Sequence, residues 1–185
     1  RGARTSDGHG SAPDIDVVLG YRDWTWTHTG GSFVTTDRRS VLLDNGVRVI
    51  TVPMTDNPTV TVMIHVSSGS FHEGREQSGI SHFLEHMCFK GTTKRPTARV
   101  ITTELDSIGA IYNAYTSKEV TGYYAKADAK HFAKIADVIE DIYLNSTFPA
   151  AEIEREKGVV IGEIDMYADD PQEKISEALI KHMYK

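Results

Sequence analysis

The run His82-Phe83-Leu84-Glu85-His86 constrains the fold more than any other part of the chain, because its three polar side chains meet on one face only when the segment is helical. At about 100° per residue, Glu85 projects about 60° to one side of His82 and His86 about 40° to the other. Two neutral imidazoles at i and i+4 can hold zinc through nitrogen at about 2.0–2.1 Å, leaving the carboxylate one residue before the second histidine to act on a water molecule. The pentad alone is equally compatible with a surface helix that carries two histidines beside an acid.

A catalytic zinc takes three protein donors and keeps one position open, so a third donor is required. The segment from Ala151 to Ile164 carries Glu156 and Glu163 seven residues apart. On a helix they stand about 20° apart in angle and two turns apart in height. One can ligate while the other supports it. Glu152 and Glu154 read as ordinary acidic helix surface.

The rest of the sequence predicts the setting. Ser40–Leu43 and 47–52 flank Asp44-Asn45-Gly46, a hairpin signal because Asn-Gly tolerates positive φ in a tight turn. Residues 60–66 read as a central strand, with His65 as a strand residue rather than a fourth ligand. Residues 97–108 read as a helix closed by Gly109. Phe132, Ile135, Ala136, Ile139 and Tyr143 recur at helical spacing within 128–144, a stripe that suits the core. Pro149 opens the helix that bears Glu156 and Glu163, and 171–185 is predicted helical. Residues 109–117 and 120–125 alternate as the two strands of a hairpin. Together these predict an α+β fold with helices packed on a largely antiparallel sheet. An edge strand of that kind can take a peptide by strand addition.

With 185 residues, 39% hydrophobic and 25% charged, the chain suits one well-filled core rather than a disordered segment. No apolar run approaches the ~20 residues needed to span a bilayer, and the polar N-terminus lacks the apolar centre of a secretory signal. A formal charge of −6, with only short basic runs such as 90–95, argues against a nucleic-acid partner. Cys88 is the single cysteine, so no intrachain disulfide forms. It lies about 200° round the helix from His86 and reads as a packing residue rather than a ligand. Residues 1–13, rich in Gly, Ser, Arg and Asp, are expected to be a flexible leader or an engineered remnant, and 14–185 the folded domain. Trp24 and Trp26 fit either a strand packed on the domain or a contact with a partner.

From Leu43 onward, about three quarters of the chain resembles the N-terminal domain of the pitrilysin-type (M16) zinc peptidases, whose H-x-x-E-H order marks them as inverzincins. The likeness is to the subgroup of bacterial processing proteases and the mitochondrial processing peptidase β subunit. It rests on Gly69-Ser70-Phe71-His72-Glu73 and on the run from Gly79 through the pentad to Met87-Cys88-Phe89-Lys90-Gly91-Thr92. The family sets its third ligand after a gap of seventy-six residues from the second histidine, which falls on Glu163. The resemblance therefore implies a zinc cofactor on His82, His86 and Glu163, Glu85 as general base and Glu156 as a supporting carboxylate. It further implies that Asn113-Ala114-Tyr115-Thr116, the N-A-x-T element, binds substrate.

In that family a second domain contributes an Arg and a Tyr to substrate binding and oxyanion stabilisation. The chain has no room for it and stops without a helix-ending residue, so the domain is expected to be incomplete at its C-terminus. The expected partners are a peptide substrate and a missing C-terminal domain or partner subunit, in a homo- or hetero-oligomer. The expected compartment is the bacterial cytoplasm, with the mitochondrial matrix as the alternative. The leading function is a zinc-dependent endopeptidase domain acting on extended peptides or presequences. The alternatives are a noncatalytic core subunit of the same fold, or a zinc-binding fragment inactive without its partner domain.

Overall fold

A computed structural model describes residues 15–19, 39–54 and 57–183, so the expectations for the leader and for Trp24 and Trp26 lie outside the described residues. Strands β1 (Ile15–Leu19), β2 (Arg39–Leu42), β3 (Arg48–Thr51) and β4 (Thr59–Val66) come first. Helices α1 (Ile80–Cys88) and α2 (Ala98–Asp106) follow, then β5 (Ile111–Thr116) and β6 (Thr121–Asp128). The chain continues through α3 (Phe132–Leu144), α4 (Ala150–Asp169) and α5 (Pro171–Met183). The sheet order is β2-β3-β1-β4-β6-β5.

Both predicted hairpins are present. At the first, Gly46 takes φ 86° and donates its N–H to the Leu43 carbonyl at 2.9 Å, the conformation that only glycine adopts without strain. The β5–β6 hairpin closes where Ser117 donates to the Val120 carbonyl at 2.8 Å. Its tip is held from outside by the loop after β4, where Ser70 and Phe71 donate to the carbonyls of Ser117 and Lys118. Gly69 makes that approach possible, since a Cβ there would stand 2.3 Å from the Ser117 oxygen. The strand absent from the sequence reading is β1, which inserts parallel to β3 and antiparallel to β4. All other pairings are antiparallel.

The register puts Val60, Val62, Ile64 and Val66 of β4 on the same face as Tyr123 and Ala125 of β6 and Tyr112 and Ala114 of β5. Against that face pack Ile101 and Leu105 of α2 and Ile135, Val138, Ile139 and Ile142 of α3, all fully buried. Each such side chain is worth roughly 1.5–3 kcal/mol relative to exposure. The result is a helical layer on a largely antiparallel sheet. The stripe predicted within 128–144 is here, but the α-helix begins only at Phe132. Asp128 accepts the Lys130 N–H, and Ala129–His131 form a tighter turn first.

Two devices fix the helix that bears the pentad. Both Glu73 oxygens accept from the start of α1, at 2.7 Å from the Gly79 N–H and 2.8 Å from the Ser81 N–H. Burial opposes ionisation of Glu73, but these bonds prevail and hold its carboxyl below the usual range. Beyond the other end, buried Arg95 donates through Nη1 to Asp141 of α3 at 2.7 Å and also pairs with Asp137 and Glu104. The turn that follows α1 is thereby tied to α2 and α3.

Candidate metal centre

The pentad is helical, as its chemistry requires, and α4 packs beside it. Pro149 precedes the first turn of α4, where its missing N–H is no loss. Glu156 and Glu163, two turns apart on α4, both turn towards α1 but meet different partners there.

Glu163 joins the histidines. Its Oε2 lies 3.5 Å from His82 Nε2 and 3.6 Å from His86 Nε2, and the two Nε2 atoms are 3.1 Å apart. Donors about 2.0–2.1 Å from one tetrahedral cation stand about 3.3 Å from each other, so this triangle has the size of a zinc site. It is the one cluster of three potential metal donors among the described residues. His82 and Glu163 keep about a third of their side-chain surface exposed, so the triangle is open to solvent.

Glu156 lies behind the triangle. It is 3% exposed, and its Oε1 accepts from His86 Nδ1 at 2.8 Å. A carboxylate can only accept here, which puts the imidazole proton on Nδ1 and leaves the Nε2 lone pair aimed at the cluster. Its other oxygen accepts from Lys90 Nζ at 2.6 Å. Burial works to raise the Glu156 pKa, but the bonds from Lys90 and His86 outweigh it and lower the carboxyl below its ordinary value. Of this pair, Glu163 stands beside the two imidazoles and Glu156 behind them.

Glu85 leaves the same face of α1, and its Oε2 accepts the Thr116 hydroxyl at 2.7 Å. That contact follows from the strand register. Ala114 and Thr116 of β5 face the helical layer, while Asn113 and Tyr115 face the other way. The Asn113 side chain accepts the Ala114 N–H at 2.9 Å, and the Tyr115 ring lies close over Gly122. β5 ends the sheet, paired only with β6 among the described residues, so its outer edge is open for another strand. Of the four residues of that element, only Thr116 reaches the pentad by a hydrogen bond.

Two residues the sequence reading set aside behave accordingly. His65 sits on β4 between Asp16 and Gly122, away from the cluster. Cys88 is buried, its thiol donating to the Tyr123 hydroxyl, and burial pushes its pKa up. The sequence reading missed Lys90 and the Thr116–Glu85 contact. Lys90 lies four residues after His86, a spacing that suggested proximity without indicating that the chain would leave the helix and close on a residue of α4.

The profile of the insulinase family, Peptidase family M16, matches residues 48–185. The uncharacterized zinc protease YmxG of Bacillus subtilis is 45% identical over 143 residues, covering 76% of this chain and 34% of that protein. The mitochondrial-processing peptidase subunit beta of Caenorhabditis elegans is 41% identical over 143 residues, covering 77% and 31%. The crystal structure of a protease from Helicobacter pylori superposes with a TM-score of 0.66 at 28% identity, covering 69% of this chain and 31% of that one. The chain spans about a third of the length of the curated relatives it matches. No helix among the described residues is long and apolar enough to cross a membrane.

Proposed function

The chain belongs to Peptidase family M16, and from that premise we propose that it is the metal-bearing portion of a zinc-dependent endopeptidase acting on extended peptides. The observation that carries this reading is the convergence of His82, His86 and Glu163 at 3.1–3.6 Å, with Glu85 on the same helix face. Relatives from Bacillus subtilis and Rickettsia felis bear the name zinc protease, which supports zinc as the cation.

When bound, zinc would polarise a peptide carbonyl and lower the pKa of a water to about 7. The protein's own groups supply the rest. Glu85 accepts the proton of the attacking water and returns it to the leaving amine, so one carboxylate serves both transfers. Thr116 occupies Glu85 Oε2, which leaves Oε1 free for that proton and limits rotation of the carboxylate. Glu156 keeps the His86 proton on Nδ1, so that Nε2 remains a donor to the cation. A peptide added to the outer edge of β5, along Asn113–Thr116, would run past Glu85 while its main chain completes the ladder. Strand addition asks little of the peptide's sequence, which suits extended peptides or presequences.

Relatives named as a subunit beta support a second domain or partner chain completing the site, in a homo- or hetero-oligomer. The bacterial and mitochondrial relatives support a bacterial cytoplasm or a mitochondrial matrix.

The test is zinc stoichiometry on the parent and Glu163→Gln, together with cleavage of a quenched fluorescent peptide by the parent and Glu85→Gln. Zinc near one per chain, lost in Glu163→Gln, with chelator-sensitive cleavage lost in Glu85→Gln while its zinc stays, is the expected result. Hydrolysis retained by metal-loaded Glu85→Gln refutes the base assignment. Zinc without cleavage makes this portion dependent on its partner for turnover. A parent that takes up no zinc overturns the ligand set and favours a noncatalytic subunit of the same fold.

A further inference from the structure

We infer that Lys90 is a positioning residue for the metal centre, acting on two of its three donors through the buried carboxylate of Glu156. The inference rests on the zinc reading above and adds to it a residue outside the ligand set. α1 ends at Cys88, and the Lys90 N–H donates to the Met87 carbonyl at 3.1 Å as the chain turns away. The Lys90 side chain, 24% exposed, reaches Glu156 Oε2 at 2.6 Å. The opposite oxygen of the same carboxylate accepts His86 Nδ1 at 2.8 Å. Glu156 is thus gripped at both oxygens from the C-terminal end of α1.

That grip has two consequences at the cation. The first concerns His86, whose ring plane and tautomer are set by the Glu156 oxygen it donates to. With the ammonium gone, a carboxylate that is 3% exposed would keep one oxygen without a partner. Rotation of Glu156 towards solvent relieves that, and it breaks the bond to His86. The second concerns Glu163, which lies seven residues along α4 on the same face as Glu156. Holding Glu156 against α1 fixes the rotation of α4 about its axis, and with it the direction in which Glu163 points. A staple that only joined two helices would change stability without acting on the cation through Glu156.

The experiment measures zinc dissociation constants by competition with a chromophoric chelator at one neutral pH. It compares the parent, Lys90→Met, Lys90→Arg, Glu156→Gln, the double variant Lys90→Met/Glu156→Gln, and Glu163→Gln. Far-UV circular dichroism accompanies each, and Lys90→Gln replaces Lys90→Met if the latter loses the parent spectrum. Lys90→Met is expected to weaken zinc by about ten- to hundredfold, the range typical of losing a group that orients a ligand. Lys90→Arg should recover most of the loss. In the Glu156→Gln background, Lys90→Met should add less than about threefold, because both changes remove one device. Zinc affinity within twofold of the parent in Lys90→Met, or losses that multiply in the double variant, overturns the inference. If Glu163→Gln abolishes binding while Lys90→Met does not alter it, only the role of Lys90 falls. A parent without zinc overturns the ligand reading and this inference together.

Discussion

Arg95→Met should destabilise the protein by about 3 kcal/mol near neutral pH. Arg95 is 1% exposed and spreads its guanidinium over three carboxylates: Nη1 meets Asp141 at 2.7 Å, Nε meets Glu104 at 3.2 Å, and Nη2 pairs with Asp137 and Glu104. Removing one partner of a buried pair typically costs about 3–5 kcal/mol, because the other charge stays buried. The lower end applies here, since each carboxylate retains another partner. Asp141 keeps the Thr92 hydroxyl at 2.6 Å and the Asn145 amide at 2.9 Å. Asp137 keeps Lys94, and Glu104 keeps Lys134. Methionine retains much of the arginine stem, so the loss reports the charged head rather than a cavity. Lysine should recover only part of it, because a point charge cannot serve three carboxylates as a planar fork does.

The effect also has a sign in pH. Burial opposes ionisation of Asp141, but hydrogen bonds from Thr92, Arg95 and Asn145 prevail and lower its pKa. Asp137 and Glu104 are lowered too, first by hydrogen bonds from Lys94 and Lys134 respectively. Groups with depressed folded pKa values stabilise fully above their unfolded values, about 3.9 for Asp and 4.3 for Glu, and lose that stabilisation as pH falls through the folded values. The deficit of Arg95→Met is therefore complete at neutral pH and shrinks below about pH 4. Urea denaturation at neutral and acidic pH measures this, with a midpoint shift of about 1–3 M expected at neutral pH if m is unchanged. A loss under about 1 kcal/mol, or a deficit that grows as pH falls, refutes the argument.

Further outcomes follow from single contacts. Glu73→Ala should remove about 1–2 kcal/mol by stripping the bonds to the Gly79 and Ser81 N–H groups, read as a lower urea midpoint and faster amide exchange at Ser81. Unchanged exchange there would show that α1 does not depend on this cap. Gly69→Ala should lower the thermal midpoint, because its Cβ would meet backbone, 2.3 Å from Ser117 O and 2.8 Å from Val120 N, which has no rotamer to move. A melting curve that overlays the parent's would disprove the close approach. Thr116→Val should reduce turnover by about ten- to hundredfold with KM little changed, and Thr116→Ser should restore it, since a hydrogen bond to a charged group is at stake. A Thr116→Val enzyme with the parent's turnover would remove the hydroxyl from the mechanism.

Much of this was legible in the sequence where the signal is local. The pentad, the apolar stripe of α3 and the Asn45-Gly46 turn all depend on neighbours a few residues away, and each lies where its periodicity or turn chemistry predicts. The α+β class followed from the alternation of such segments. β1 was not legible, because five residues, Ile15–Leu19, carry too short a pattern to announce a parallel pairing with β3. The onset of α3 differed because the Asp128 side chain captured a nearby N–H and favoured a tight turn over helix.

By itself the sequence determined that His82, Glu85 and His86 share a face and that Glu156 and Glu163 lie along one stripe, since helical geometry depends only on spacing. Family resemblance, not spacing, selected Glu163 over Glu156 as the third donor. Tertiary structure alone decided that Glu163 Oε2 comes within 3.6 Å of both imidazoles while Glu156 is clasped behind them by Lys90. It also decided that the Thr116 hydroxyl ends on Glu85 and that Arg95 binds three carboxylates from two helices. These contacts join groups up to eighty-one positions apart, as in His82 with Glu163, and which ones meet is set by sheet register and helix rotation, properties of the whole packing.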